Sequence, residues 1–151
     1  MRQRVLIAIA GTAVVAAAAA FLMSQGLRYA YLRVVPDSAA AKPGMRFESG
    51  MAKHRFVSIE VDLSDACPQG KRARISAATL QIAGEAASSF ERNLDVDVSA
   101  RPLVALRFRP TAEGTGALVD GRSRATLVVP VEDACGSRSY RIQLERDRGQ
   151  R

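Results

Sequence analysis

The stretch FVSIEVDL, residues 56–63, decides the fold of this chain. Apolar and polar residues alternate along it: Val57, Ile59, Val61 and Leu63 against Ser58, Glu60 and Asp62. In an extended strand, successive side chains point to opposite faces, so this period of two sorts the apolar residues onto one face. The stretch is therefore predicted to be a β-strand with one buried and one solvated face.

Further strand-like stretches follow it. They are RARISAATLQI (72–82), NLDVDV (93–98), LVALRFR (103–109), ATLVVPV (125–131) and SYRIQL (139–144). The alternation in the first of these breaks near Ala77 and Ala78, which indicates a β-bulge. Pro130 has no N–H to donate. Its strand is therefore expected to lie at an edge of the sheet, or Pro130 is expected to lie near the end of its strand.

The segments between these strands look like turns. Residues 85–91 fit a helical turn or a loop, and the Asp-Gly pair at 120–121 fits a hairpin turn. Six or seven short strands with turns every eight to twelve residues are typical of an all-β, antiparallel β-sandwich of immunoglobulin-like architecture. We place this sandwich at residues 54–146 and a frayed tail at 147–151. A small barrel is the alternative, because patterning does not fix closure.

The N-terminal part of the chain has a different character. Residues 5–23 form an uncharged run of 19 residues, which as a helix spans roughly 28 Å, close to the thickness of a bilayer core. A single transmembrane helix that serves as an uncleaved signal-anchor is predicted. The alternative is a cleaved signal peptide, with the small residues Ala18–Ala20 as the cleavage site and a soluble periplasmic product.

Aromatic and basic residues follow the apolar run. Arg28, Tyr29, Tyr31 and Arg33 suit a membrane–water interface, with rings among the headgroups and charges outside. Residues 1–33 are thus interpreted as a cytoplasmic tip, a transmembrane anchor and an interfacial segment. Residues 34–53 contain two Pro and two Gly and are predicted to be a linker.

Small residues recur at four-residue spacing within the apolar run, at Ala8, Thr12, Ala16 and Ala20. Such a stripe lets membrane helices approach closely, so it is a candidate helix-packing surface. Eight of the 19 residues in the run are Ala, however, so composition alone also accounts for the stripe.

The two cysteines, Cys67 and Cys135, each stand in an Asp-Ala-Cys tripeptide that is followed by a turn-forming residue. A metal site usually needs a cluster of Cys and His, and a redox site usually reads Cys-x-x-Cys; neither pattern is present. A disulfide is therefore predicted, with two buried free thiols as the alternative. Disulfides persist in oxidising compartments, which places the domain in the bacterial periplasm and the N-terminus in the cytoplasm.

The charge of the chain does not indicate a nucleic-acid partner. The net charge is +7, but four arginines flank the apolar run, and without them 18 basic residues face 15 acidic ones. Aromatic residues make up only 5% of the chain, fewer than stacking on bases would require. The exposed pairs Arg72/Arg74, Arg107/Arg109 and Arg122/Arg124 are interpreted as solvated faces or, if some share a surface, as contacts for lipid phosphate or an acidic partner.

Candidate chemistry is sparse. His54 is the chain's only histidine, so a nucleophile–base pair has few possible members, and no enzyme activity is expected. Met45, Met51 and His54 form a local set of soft or borderline ligands that suits Cu(I). The leading hypothesis is a non-enzymatic, single-span inner-membrane protein without a cofactor. Its periplasmic β domain would act as a subunit or assembly factor of an envelope complex through membrane or periplasmic protein partners. The alternative is a periplasmic copper-binding accessory protein.

Overall fold

The computed structural model describes residues 13–20, 28–36 and 44–149. Eight strands and one helix make up the folded domain, and residues 13–20 form a separate, exposed helical segment. The strands are β1 (Tyr29–Val34), β2 (Arg46–Lys53), β3 (Phe56–Asp62), β4 (Arg72–Ile82), β5 (Glu85–Asp97), β6 (Leu103–Phe108), β7 (Ala125–Asp133) and β8 (Gly136–Arg146). The helix, α1 (Ala112–Val119), lies between β6 and β7.

The strands form a closed antiparallel barrel in the order β1-β2-β3-β6-β5-β4-β7-β8. The prediction of an all-β antiparallel domain is confirmed. The prediction of an immunoglobulin-like sandwich of six or seven strands is wrong, because β1 pairs with both β2 and β8 and so closes the sheet on itself. The small barrel considered as the alternative is the fold that forms.

The predicted boundary between linker and domain is also wrong. Residues 46–53 were expected in the linker but form β2, which pairs with β3 along its whole length. Tyr29 and Tyr31, expected in an interfacial segment, belong to β1. The barrel therefore begins at residue 29 rather than at residue 54.

Gly50 explains why β2 is hard to recognise in the sequence. The register between β2 and β3 shifts between Phe47 and Ser49, which interrupts the alternation of side chains. A Cβ atom at Gly50 would lie 3.1 Å from the Phe47 ring and 3.2 Å from the Leu32 Cβ atom. Glycine is used here for close packing, at a position where a sequence pattern suggests a turn.

The barrel interior is filled by the apolar face that the alternation predicts. Ile59, Ile75, Phe108, Leu127 and Leu144 are among its largest fully buried side chains. Burial of each such side chain contributes about 1.5–3 kcal/mol to folding. The barrel is therefore a packed core that holds its outer residues in fixed positions.

The β-bulge predicted near Ala77 is confirmed by a register shift between Ala77 and Thr79 in β4. Pro130 was expected in an edge strand or near a strand end, but it lies within β7, between β4 and β8. The same bulge interrupts the pairing of β4 with β7 between Ile75 and Thr79. Pro130 faces this interruption, so its missing N–H removes no hydrogen bond from the β4–β7 ladder.

The segment between β6 and β7 was expected to be turn-like, with a hairpin turn at residues 120–121, but residues 112–119 form α1. Thr111 caps the helix, with its Oγ1 accepting a hydrogen bond from the Gly114 N–H at 3.1 Å. Leu118 and Val119 are buried where α1 packs against β1, β2, β4 and β8. Two glycines lower its intrinsic propensity, so tertiary burial stabilises this helix.

The two ends of the barrel differ in what they carry. The proximal end is the one where residue 28 leads into β1; it also carries the β2–β3 turn, the β4–β5 turn and α1. The distal end carries the loops 63–71 and 98–102 and the β7–β8 turn. The N-terminal apolar run thus joins the barrel at its proximal end.

Among the helices in the described ranges, none has the length and apolar character needed to cross a bilayer. The predicted anchor, residues 5–23, lies mostly outside those ranges, which include only residues 13–20 of it. Of the predicted packing stripe, Ala8 and Thr12 also lie outside, whereas Ala16 and Ala20 are exposed on the short helical segment.

Candidate functional site

The barrel is weakly closed between β5 and β6. Among the described residues, the only register pair that joins these strands is Ser89 with Phe108. By contrast, six consecutive pairs join β6 to β3, from Val57–Phe108 to Asp62–Leu103. We call the facing edges of residues 90–97 in β5 and 103–107 in β6 the β5–β6 seam.

Backbone groups of β6 point into this seam. The N–H of Arg107 donates to the Glu91 Oε2 atom at 2.9 Å, so a side chain occupies the place of a neighbouring strand. In an antiparallel ladder, alternate residues direct their N–H and C=O groups to the same side. The groups of Leu103 and Ala105 therefore face the seam as well, whereas those of Val104 and Leu106 face β3.

Glu91 is held in the seam by charge as well as by hydrogen bonding. Its Oε1 atom accepts from the Arg107 Nε atom at 2.5 Å. Burial raises the pKa of Glu91, but the hydrogen bonds from the backbone and guanidinium of Arg107 outweigh burial and lower that pKa below its ordinary value. The carboxylate thus stays ionised at neutral pH and stabilises one end of the seam.

A local irregularity in β5 exposes an aromatic ring beside the seam. The Ser89 side chain turns inward, where its Oγ atom accepts from the Ala78 N–H at 3.0 Å and donates to the Glu91 carbonyl at 2.7 Å. The next residue, Phe90, points outward and is 52% exposed, and Leu103 in β6 is 54% exposed. Two large apolar side chains therefore flank the β5–β6 seam.

The predicted disulfide is confirmed at the distal end of the barrel. Cys67, in the β3–β4 loop, is bonded to Cys135, in the β7–β8 turn, with 5.9 Å between their Cα atoms. Arg138 reinforces this link, because its Nη1 atom donates to the Ala66 carbonyl at 2.7 Å and its Nη2 atom pairs with Asp133. The two sulfurs and an Asp133 oxygen lie within 4.8 Å of one another, but a disulfide offers no thiolate to a metal ion.

The proposed copper ligands do not come together. Met45 is buried in the core, Met51 is half-buried on the outer face of β2, and His54 is exposed in the β2–β3 turn. Met45 precedes β2 and His54 follows it, so they are separated by roughly 25–30 Å at about 3.3 Å per residue. A single ion cannot be bound by all three side chains.

The four predicted interfacial residues, in contrast, share one region. Tyr29 and Tyr31 lie on the outer face of β1 with their rings edge to face, 5.7 Å between centroids. Arg28 pairs with Asp120 after α1, and the Arg33 Nη2 atom lies 2.8 Å from the Glu145 Oε1 atom in β8. The proximal end of the barrel therefore presents two exposed tyrosines between two arginines.

A second group of arginines lies at the proximal end, and of these only the Arg122/Arg124 pair was considered from the sequence as a contact for lipid phosphate or an acidic partner. An open depression of about 410 Å³ is lined by Gly121, Arg122, Ser123, Arg124, Glu145, Arg146 and Arg148. The sequence shows two Arg-x-Arg motifs here, but only the fold brings the end of α1 against the end of β8. The 147–151 segment was expected to be frayed, yet the Asp147 N–H donates to the Tyr31 carbonyl at 2.7 Å. Residues 150–151 lie outside the described ranges.

Comparisons with protein-family models, with curated proteins and with solved structures find no match for this chain. Three features of the described residues carry functional information. They are the β5–β6 seam on the side of the barrel, the arginine-lined depression at its proximal end, and the disulfide at its distal end.

Proposed function

We propose that this protein is a non-enzymatic, single-span membrane protein whose barrel binds an extended segment of another envelope protein at the β5–β6 seam. In this role it is a subunit or assembly factor of an envelope complex. The observation that carries the proposal is the closure of the barrel by a single residue pair, which leaves backbone donors and acceptors of β6 directed into the seam.

A strand is the ligand that such an edge recognises. Unpaired N–H and C=O groups along a strand edge template the addition of another strand, and the hydrogen bonds thus formed provide affinity without side-chain specificity. Specificity then comes from side chains next to the edge. Phe90 and Leu103 provide two apolar contacts for alternate residues of an incoming strand, and Arg92 adds a positive charge.

The membrane part of the proposal rests on the sequence and on the disulfide. The apolar run at residues 5–23 has the length and the flanking arginines of a signal-anchor. The Cys67–Cys135 disulfide suits an oxidising compartment such as the periplasm. With the anchor at the proximal end, the seam lies on the flank of the barrel, where a periplasmic strand has access to it.

Ala105 offers a direct test of strand addition. It is exposed in the middle of β6, and its N–H faces the seam rather than β3. Ala105→Pro removes that donor and leaves the β3–β6 hydrogen bonds in place, because proline is tolerated at a strand edge. Ala105→Val is the matched control, since it adds a side chain of similar size but keeps the N–H.

The measurement is affinity purification of the tagged full-length chain from its native host in mild detergent, with partner recovery quantified by mass spectrometry. Ala105→Pro is expected to lower partner recovery about tenfold, corresponding to the loss of one backbone hydrogen bond, whereas Ala105→Val leaves it unchanged. Thermal unfolding of both variants verifies that the barrel is intact. Equal recovery with the proline variant rules out the seam, and a wild-type chain without a stoichiometric partner overturns the assembly role.

A further inference from the structure

Six guanidinium groups crowd the proximal end of the barrel where the N-terminal segment enters it. Arg122 and Arg124 follow α1, Arg146 and Arg148 end β8 and its tail, and all four line the depression of about 410 Å³. Arg28 and Arg33 stand beside it, through their ion pairs with Asp120 and Glu145. The question is whether the surrounding carboxylates already neutralise these charges.

They do not. Asp120 is shared between Arg28 and Arg122, and Glu145 is shared between Arg33 and Arg124. Arg146 and Arg148 form no ion pair within the described part of the chain. Asp147 adds one more carboxylate, which accepts the Gly149 N–H at 2.9 Å. Among the described residues, six positive groups therefore face three negative ones, and the guanidinium groups of Arg146 and Arg148 have no partner there.

The backbone that holds these arginines is ordered by specific contacts. Gly121 adopts a left-handed conformation, φ +74°, which turns the chain after α1. The N–H groups of Arg122 and Ser123 donate to the Ala117 carbonyl at 2.9 and 3.2 Å, so the last turn of the helix is capped. A Cβ atom at Gly121 would lie 3.6 Å from the Arg146 Cδ atom, so the turn packs against the Arg146 stem.

The location of the depression indicates where its ligand comes from. Arg28, beside the depression, immediately precedes β1 and lies five residues after the apolar run 5–23. Tyr29 and Tyr31 are exposed on β1, and the Tyr31 carbonyl accepts from Asp147, between the two tail arginines. Tyrosines and arginines at this position suit the headgroup layer of a membrane.

We propose that the arginine-lined depression binds the phosphate group of an anionic phospholipid headgroup. The planar guanidinium group presents paired donors that match phosphate oxygens, and Ser123 adds a hydroxyl to the lining. The lipid source rests on the membrane attachment proposed above, whereas the phosphate chemistry rests on the arginines alone. Bound lipid would fix the orientation of the barrel on the bilayer surface.

The test uses the full-length chain in non-ionic detergent and native mass spectrometry to measure bound lipid. The probes are phosphatidylglycerol, phosphatidylcholine and inorganic phosphate. Arg146→Gln/Arg148→Gln removes the two unpaired arginines, and the matched control Arg72→Gln/Arg74→Gln removes the same charge from β4, away from the depression.

Phosphatidylglycerol is expected to bind in preference to phosphatidylcholine, and the Arg146/Arg148 variant to weaken that binding about 25-fold, at roughly fivefold for each arginine. The control variant should bind as the wild type does. Equal loss in both variants, or no preference for the anionic lipid, overturns the proposal. Binding of inorganic phosphate without binding of lipid overturns the lipid source. The Arg146/Arg148 variant should still recover the partner bound at the seam, so failure of the lipid proposal can be distinguished from failure of the proposed function.

Discussion

Removal of the disulfide is the perturbation whose effect can be calculated most directly. Cys67 and Cys135 are 68 residues apart in the sequence, so the disulfide closes a loop that includes β4, β5, β6, α1 and β7. In the chain-entropy model, closing a loop of this length removes about 4 kcal/mol of conformational freedom from the unfolded chain. The variant Cys67→Ala/Cys135→Ala should therefore lose about 4 kcal/mol of its free energy of unfolding.

The folded state should change little in this variant. Cys67 is buried but small, and Cys135 is exposed, so two alanines leave only a minor cavity. Arg138 still bonds to the Ala66 carbonyl and to Asp133 across the same junction. The loss is therefore expected to arise in the unfolded state, which becomes less compact without the cross-link.

Urea unfolding of the full chain in non-ionic detergent, followed by far-UV circular dichroism, measures the effect. A single domain loses roughly one quarter or more of a 5–15 kcal/mol stability when about 4 kcal/mol is removed. The slope of the free energy against urea concentration should rise, because the uncrosslinked chain exposes more surface. Wild-type protein reduced with a thiol reagent should reproduce both changes. A loss below about 1 kcal/mol in the variant would refute the loop-entropy reasoning.

Two further predictions concern the closure of the barrel. Phe108→Ala should lower the free energy of unfolding by about 3–5 kcal/mol in the same urea assay. The ring is fully buried, and Phe108 forms the one register pair between β6 and β5. A loss below about 1 kcal/mol would contradict this packing. Glu91→Gln should cost stability at pH 7, and this cost should shrink as the pH falls below 4.5. A lowered pKa gives the carboxylate a stabilising effect that is fully present above its ordinary value of 4.5 and is lost as the pH falls through the folded-state pKa. If the difference in free energy of unfolding between wild type and variant stayed constant from pH 7 to pH 3, the stabilising role of the Glu91 charge would be contradicted.

Strands whose apolar and polar residues alternate over most of their length could be predicted from the sequence. Residues 56–62 and 72–82 form β3 and β4 as expected, because each places only apolar or small side chains toward the core. The disulfide was also predictable, since two isolated cysteines in turn sequences left few other roles. These features depend on local patterns and on residue chemistry alone.

The first two strands could not be recognised in the same way. In β1, Tyr29, Tyr31 and Arg33 point outward, and the same alternation of tyrosine and arginine is typical of a membrane interface. In β2, Gly50 and a bulge disguise the strand. Barrel closure joins β1 to β8, whose paired residues Arg33 and Glu145 are 112 residues apart in the sequence, and no local pattern determines that pairing.

The candidate sites depend on the register between strands and therefore could not be predicted from the sequence. Residues 85–91 consist mostly of Ala, Ser and Glu, so nothing marked them as a strand that ends its pairing with β6 at Ser89. Arg122 and Arg124 were interpreted as a solvated pair, with lipid phosphate as one alternative. Their juxtaposition with Arg146 and Arg148 requires the end of β8 to lie beside the end of α1.

The positions of the three features also determine how they influence one another. The arginine-lined depression belongs to the proximal ends of β7 and β8, whereas the seam runs between β5 and β6, with β4 between the two regions along one side of the barrel. Among the described residues, Arg146 and Arg148 make no ion pair that reaches the seam. Substitutions that are far apart and share no partner usually have additive effects. Lipid contact at the proximal end and strand binding at the seam are therefore expected to be independent, so that loss of one in a variant is no explanation for loss of the other.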